Sequence, residues 1–218
     1  MKEKKHIYFV PGLAASSLIF EHIKLPKEQY EIHFLEWLVP ESKTENIQHY
    51  AKRMCTNIEH TNPVLIGVSF GGIMVQEMSK IITSQKTIII SSVKTKNELP
   101  KRLRLAKNTK AYKLFPTKAI TNLENFSNYA FGNLAKKRIE LYKKYLSMRD
   151  EKYLPWAIEN VLNWSQEKPL TNVIHIHGNN DGVFPIKHIE NCLKIEGGTH
   201  VMILNKAKQV SRLLIEII

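Results

Sequence analysis

The feature that most constrains this chain is a run of six residues, Gly67-Val68-Ser69-Phe70-Gly71-Gly72, set between an apolar stretch and a helical pattern. Pro63-Val-Leu-Ile-Gly-Val68 reads as a buried strand and Ile73-Met-Val-Gln-Glu-Met78 as a helix. A serine on a sharp strand-to-helix turn needs a strained backbone, and the residues two before and two after it must be small to avoid collision. Gly67 and Gly71 meet that need. The turn lifts the Ser69 hydroxyl above the sheet edge and aims the first turn of the helix at it, with the backbone N–H of Phe70 free to donate. An incidental serine in a glycine-containing turn is the alternative reading of this segment taken alone.

Five further runs read as strands: His6–Val10, Glu31–Glu36, Thr87–Ser91, Val173–His177 and Cys192–Ile195. Helices are expected at about 44 to 60 and 71 to 84, and a closing helix at about 201 to 217. Strands alternating with helices predict a parallel sheet covered on both faces. No strand is evident between Asn97 and Gln166. A structureless loop of that length is improbable, so residues 97–166 read as a helical cap inserted into a core of residues 1–96 and 167–218, with helices over Asn133–Met148 and around Trp156–Trp164.

Two more segments follow strands and carry chemistry. Aspartate occurs only at Asp150 and Asp181. Asp150 falls in the basic, helical insertion, whereas Asp181 sits in His177-Gly-Asn-Asn-Asp-Gly182, at the carboxyl end of a strand, where open α/β sheets build their sites. Asn-Asp-Gly is also an ordinary turn sequence. His200 ends Glu196-Gly-Gly-Thr-His200, between the last strand and the closing helix. It completes the chain order Ser, Asp, His. His175 and His177 lie on or at the end of a strand, where packing or turn stabilisation accounts for them.

These motifs, with the Val10-Pro11-Gly12-Leu13 turn after the first strand, resemble the α/β-hydrolase superfamily from about residue 6 to the C-terminus, the cap excluded. The resemblance implies a six-stranded, mainly parallel sheet with helices on both faces. It further implies Ser69 as nucleophile, His200 as general base, Asp181 as the acid that orients it, and the backbone N–H groups of Leu13 and Phe70 as the oxyanion hole. The expected activity is hydrolysis of a small ester, thioester or related acyl substrate through an acyl-enzyme. Acyl transfer, lyase chemistry or a low-turnover ligand receptor on the same scaffold are the alternatives. The chain has Pro11-Gly12 where many relatives have His-Gly, and it lacks the HGGG run of some lipases, so large-acyl lipase activity is not supported. Its first strand corresponds to the family's third, which predicts an all-parallel core. Dehalogenase and epoxide-hydrolase relatives carry aspartate at the elbow, and Ser69 argues against both.

Composition narrows the rest. The net charge is +12, and between Lys101 and Lys152 there are 14 Lys or Arg against four acids, Glu124, Glu140, Asp150 and Glu151. A solvated helical face explains such an excess, and attraction of an anionic substrate is the functional alternative. No zinc-finger spacing or RNA-recognition motif accompanies it, so no nucleic-acid partner is expected. No apolar run is long enough to cross a bilayer, and the apolar stretch Ile7–Val10 is too short for a signal-peptide core. Cys55 and Cys192 form no CxxC pair. A cytoplasmic protein acting on a small-molecule acyl substrate, with neither metal nor organic cofactor, is the expectation.

Overall fold

Alternation along the strands decides how the sheet is covered. The computed structural model describes residues 4–109 and 144–218, and six strands appear in it: β1 Lys5–Val10, β2 Tyr30–Phe34, β3 Val64–Val68, β4 Lys86–Ile90, β5 Val173–Gly178 and β6 Leu193–Ile195. Ile7, Phe9, Val64, Ile66, Ile88 and Ile90 face one buried cluster, while Tyr8, Val10, Leu65 and Ile89 face the other. Successive side chains point to opposite faces of a strand, so a run apolar at every position requires cover on both sides.

All five strand pairings are parallel, in the order β2-β1-β3-β4-β5-β6. The chain runs outward from β1 to β2 and then crosses back to β3 on the other side of β1. The order therefore reverses between β1 and β3, the place in an open α/β sheet at whose carboxyl ends sites are built. Val10 pairs with Gly67 in register, so both turns leave the sheet at the same level.

Three helices cover the face that carries Tyr8 and Leu65: α1 Ile47–Cys55, α2 Phe70–Met78 and, beyond a further helix α3 Lys101–Thr109, α4 Tyr153–Asn163. The C-terminal helices α5 Met202–Asn205 and α6 Ala207–Ile217 cover the other. None of the described helices is long and apolar enough to cross a membrane.

The helix ends differ from the sequence expectation for local reasons. The Asn46 side chain accepts the His49 N–H at 2.7 Å, so α1 starts at 47 rather than 44. Ser79 donates its hydroxyl to the Gln76 carbonyl in the last turn of α2, and the chain leaves through short turns well before 84. The closing helix is two helices, because Lys206 adopts φ −123° and ψ 23°, outside the helical range.

Within the interval 97–166, the expected helix at Asn133–Met148 lies largely outside the described residues. The described end of the interval contributes α4, which starts where the Asp150 carboxylate accepts the N–H groups of Lys152 and Tyr153 at 2.8 and 3.0 Å. Tyr153, Leu154, Trp156 and Ala157 join the same buried cluster as α1 and α2. Trp156 is 2% exposed, donates its indole N–H to the Glu45 carbonyl at 2.7 Å and packs on Tyr50 with ring centroids 4.2 Å apart. Trp164 is buried too, with its indole N–H on Glu77 Oε1 at 2.8 Å.

Trp156→Ala is expected to cost about 3–5 kcal/mol, read as a shift of the urea unfolding midpoint, since it leaves a cavity lined by rings that cannot collapse into it. A loss under about 1 kcal/mol would mean that α4 does not contribute to this core.

Candidate active site

Ser69 sits between β3 and α2 with φ 55° and ψ −117°. This left-handed φ is costly for a residue with a side chain, on the order of 1–3 kcal/mol, and persists only where the surroundings enforce it. The enforcing contacts are close. A Cβ on Gly67 would lie 2.1 Å from the Gly71 carbonyl oxygen, and one on Gly71 would lie 2.3 Å from the Pro11 oxygen and 2.4 Å from the Val10 oxygen. Both glycines of the motif are therefore dictated by backbone-to-backbone approach. Gly72 has its own reason: a Cβ there would meet Ser92 Oγ at 2.4 Å. Ser92 in turn donates to the Ser69 carbonyl at 2.7 Å, and the Gly72 N–H reaches the same oxygen at 2.9 Å. Nothing in the local sequence signals this role of Ser92.

The structure brings Ser69, His200 and Asp181 together. Ser69 Oγ lies 3.0 Å from His200 Nε2, and His200 Nδ1 lies 2.9 Å from Asp181 Oδ2. A carboxylate only accepts, so Nδ1 carries the proton and donates it to Asp181, leaving the Nε2 lone pair for the serine hydroxyl. Asp181 is held from its other side by the N–H groups of Val183 and Phe184, which donate to Oδ1 at 2.7 and 2.9 Å. Burial pushes the carboxyl pKa up, but the hydrogen bond and charge of His200 and the two amide donors outweigh it and hold the group below its ordinary value. Asp150, the rejected alternative, is occupied at the start of α4.

The two remaining candidate residues, Leu13 and Phe70, flank Ser69. Phe70 is the first residue of α2, so its N–H has no carbonyl one turn earlier to bond. Leu13 follows Gly12, whose position lies so close to Ser69 that an added Cβ would sit 3.6 Å from the serine Cβ. The turn is locked at its carbonyl: Gly12 O accepts the Trp37 indole N–H at 2.9 Å and the Ala15 N–H at 3.0 Å. Trp37 also stacks on Phe70, with centroids 5.0 Å apart and planes 18° apart. One indole thus braces both turns. Arg102 reaches the far side of the site, donating to the Gly182 and Val183 carbonyls next to Asp181.

Behind the acid lies a second histidine system. His177 Nε2 lies 2.8 Å from the Phe184 carbonyl, to which it must donate, so its Nδ1 accepts from His175 Nε2 at 3.0 Å. His177 Nε2 is also 3.6 Å from Asp181 Oδ2. These rings fix the Asp181 loop, the turn-stabilising role expected for them. Burial lowers the pKa of both, in His177 against the opposing pull of the Phe184 carbonyl and Asp181, and in His175 with the His177 and Lys94 charges adding to the effect.

No protein-family model matches the sequence, and no curated protein does. Among solved structures the chain is similar to a carboxylesterase from the thaumarchaeon Nitrososphaera gargenis, at 14% identity and TM-score 0.69, over 98% of this chain and 89% of that one. It is similar to a bromoperoxidase from Bacillus anthracis, at 15% identity and TM-score 0.67, over 98% and 91%. An epoxide hydrolase from Bacillus megaterium matches at 14% identity and TM-score 0.63, over 97% and 92%. The chain has the α/β-hydrolase fold. The α/β-hydrolase neighbours carry names for three different reactions, so the likeness establishes architecture, and the chemistry must be argued from the side chains.

Two outcomes test the geometry. Gly71→Ala should destabilise by about 1–3 kcal/mol or more, because the clash is with backbone that has nowhere to go, while Gly12→Ala, with only ordinary contacts around it, should fold within about 0.5 kcal/mol of the parent. Equal thermal midpoints for the two variants would contradict the close approach. For the histidines, a folded pKa below the unfolded value means that the unfolded chain binds more protons, so stability is full above about pH 6.5 and is lost as pH falls. The urea unfolding free energy should fall by up to about 1.4 kcal/mol per pH unit for each buried ring between about pH 6.5 and 5. A flat profile there would mean that both rings accept protons without cost.

Proposed function

We propose that the chain is a serine hydrolase that cleaves a small ester, thioester or related acyl compound through an acyl-enzyme. The observation that carries this reading is the unbroken line of hydrogen bonds from Asp181 through His200 to Ser69, with Ser69 on the strained turn. A serine hydroxyl is a weak nucleophile, so His200 Nε2 takes its proton as Oγ attacks the acyl carbon. Asp181 holds the imidazole in the tautomer that makes this possible and stabilises the imidazolium that forms. The carbonyl oxygen becomes negative in the tetrahedral intermediate, and the N–H groups of Leu13 and Phe70 receive that charge. The imidazolium then protonates the leaving alcohol or thiol. Water, deprotonated by the same nitrogen, releases the acid and restores Ser69. No step in this sequence draws on a metal or organic cofactor.

The test combines labelling and turnover. A fluorophosphonate probe should modify Ser69, and Ser69→Ala should abolish the labelling while the far-ultraviolet circular dichroism is retained. On a panel of acyl esters and thioesters of graded chain length, Ser69→Ala or His200→Ala should lower kcat by about four to six orders of magnitude. Asp181→Asn should lower it severely, and Asp150→Asn little, since an asparagine oxygen still accepts the two amides at the start of α4. Undiminished labelling of Ser69→Ala, or a reversal of the two aspartate results, would overturn the assignment.

A further inference from the structure

Three of the chain's nine histidines converge far along β1 from the turn that meets Ser69. His6 is on β1, His33 on the edge strand β2, and His60 in the connection between α1 and β3. Parallel register sets His6 opposite Glu31 and Tyr8 opposite His33, and the two-residue alternation puts all four on one face. His60 covers them, its ring stacked on His6 with centroids 3.5 Å apart and planes 12° apart.

The nitrogens are closely spaced. His6 Nδ1 and His33 Nε2 are 3.1 Å apart, and one ring nitrogen from each histidine lies within 4.8 Å of those of the other two. Glu31 places its carboxylate oxygens 3.9 Å from His6 Nδ1 and 4.0 Å from His33 Nε2. Two imidazole nitrogens on one tetrahedral zinc ion, each about 2.0–2.1 Å from it, stand about 3.3–3.4 Å apart. The His6 and His33 pair is already near that separation and the Glu31 carboxylate is within about an ångström of it, while the His60 ring must turn out of its stack on His6 to aim its lone pair, which lies in the ring plane, at the same ion.

An outer partner is also present. Tyr8 Oη lies 2.6 Å from His60 Nδ1 and accepts the Glu59 N–H at 3.2 Å. A phenol oxygen can accept from Nδ1–H, which fixes the tautomer that exposes the Nε2 lone pair, as partners of metal-bound histidines commonly do. The rings are half-buried, with His6 and His33 side chains 22% and 24% exposed, so an ion has access while the rings are held. The other described group of this kind, Glu41, Glu45 and His49, differs in already containing a cation: Arg53 donates to both Glu45 oxygens at 3.0 Å.

We propose that His6, His33 and His60 bind one divalent first-row transition-metal ion of the zinc class, with Glu31 as fourth ligand. Three imidazoles and one carboxylate suit zinc, cobalt, nickel or copper and not magnesium or calcium. The ion would join β1, the edge strand and the α1–β3 connection, a structural role separate from Ser69 chemistry.

Cobalt(II) is the probe, because a four-coordinate ion gives intense visible absorption. The purified chain, stripped with chelator, should take up one equivalent with those bands, and zinc should displace it. His33→Ala and His60→Ala should lose the bands, Tyr8→Phe should weaken binding by about 10- to 100-fold, and His49→Ala should bind as the parent does. Should His33→Ala fail to fold, imidazole NMR of the unaltered chain decides: saturating zinc must shift the His6, His33 and His60 signals and leave His200 in place. Absence of uptake by the parent, equal uptake by a folded His33→Ala, loss in His49→Ala, or a shift confined to other histidines would each overturn the proposal.

Discussion

The start of α2 touches the turn after β1, backbone against backbone, and the chemistry of the molecule is arranged around that approach. Gly71 has no room for a side chain beneath the Val10 and Pro11 carbonyls, and Gly67 has none beneath Gly71. Because the two turns are pressed together, the strain at Ser69 is borne by contacts that cannot relax separately. The parallel register between Val10 and Gly67 brings the turns level, at the point where the strand order reverses. The aromatic cluster is the second half of this arrangement. Trp37 grips the Gly12 carbonyl and stacks on Phe70, which leaves both turns backed by rigid rings rather than by mobile aliphatic chains.

Much of this was legible from residues alone, and the reason is that the requirements are local. Val64–Val68 and the Ile88–Ile90 end of the next strand carry no polar side chain because parallel strands are covered twice. The glycines around Ser69 announce the turn because nothing larger fits. Asp181 and His200 could be chosen because each follows a strand and because aspartate is so rare in this chain. The features that escaped are those set by partners far away in sequence. Trp37 meets Gly12 across 25 residues, Ser92 supports a carbonyl on another turn, and no spacing rule connects His6 with His33 and His60. Helix ends escaped for a different reason: a single capping side chain or one residue off the helical dihedrals overrides the periodicity that reveals a helix.

Electrostatically the site is layered. Asp181 takes hydrogen bonds from His200, nearest on Oδ2, and from two amides on Oδ1, and buried imidazole rings stand behind it. That setting holds the carboxyl below its ordinary pKa, with the hydrogen bonds of His200 and the two amides outweighing the effect of burial. His175 and His177 stand behind the acid loop through the Phe184 carbonyl, and burial lowers the pKa of both.

The same clamp on Asp181 bears on how this molecule would age. Aspartate followed by glycine, as at Asp181-Gly182, is more given to cyclising than aspartate before any bulkier residue, its side-chain carbonyl carbon attacked by the next backbone nitrogen and the ring later reopening as isoaspartate. That reaction needs a free carboxyl, preferably protonated, swinging over a flexible backbone. Here one oxygen is anchored to two amides, the other to an imidazole, and the group is held ionised. The folded chain therefore protects its most vulnerable bond by the contacts that orient His200, and chemical damage at this position belongs to the unfolded chain.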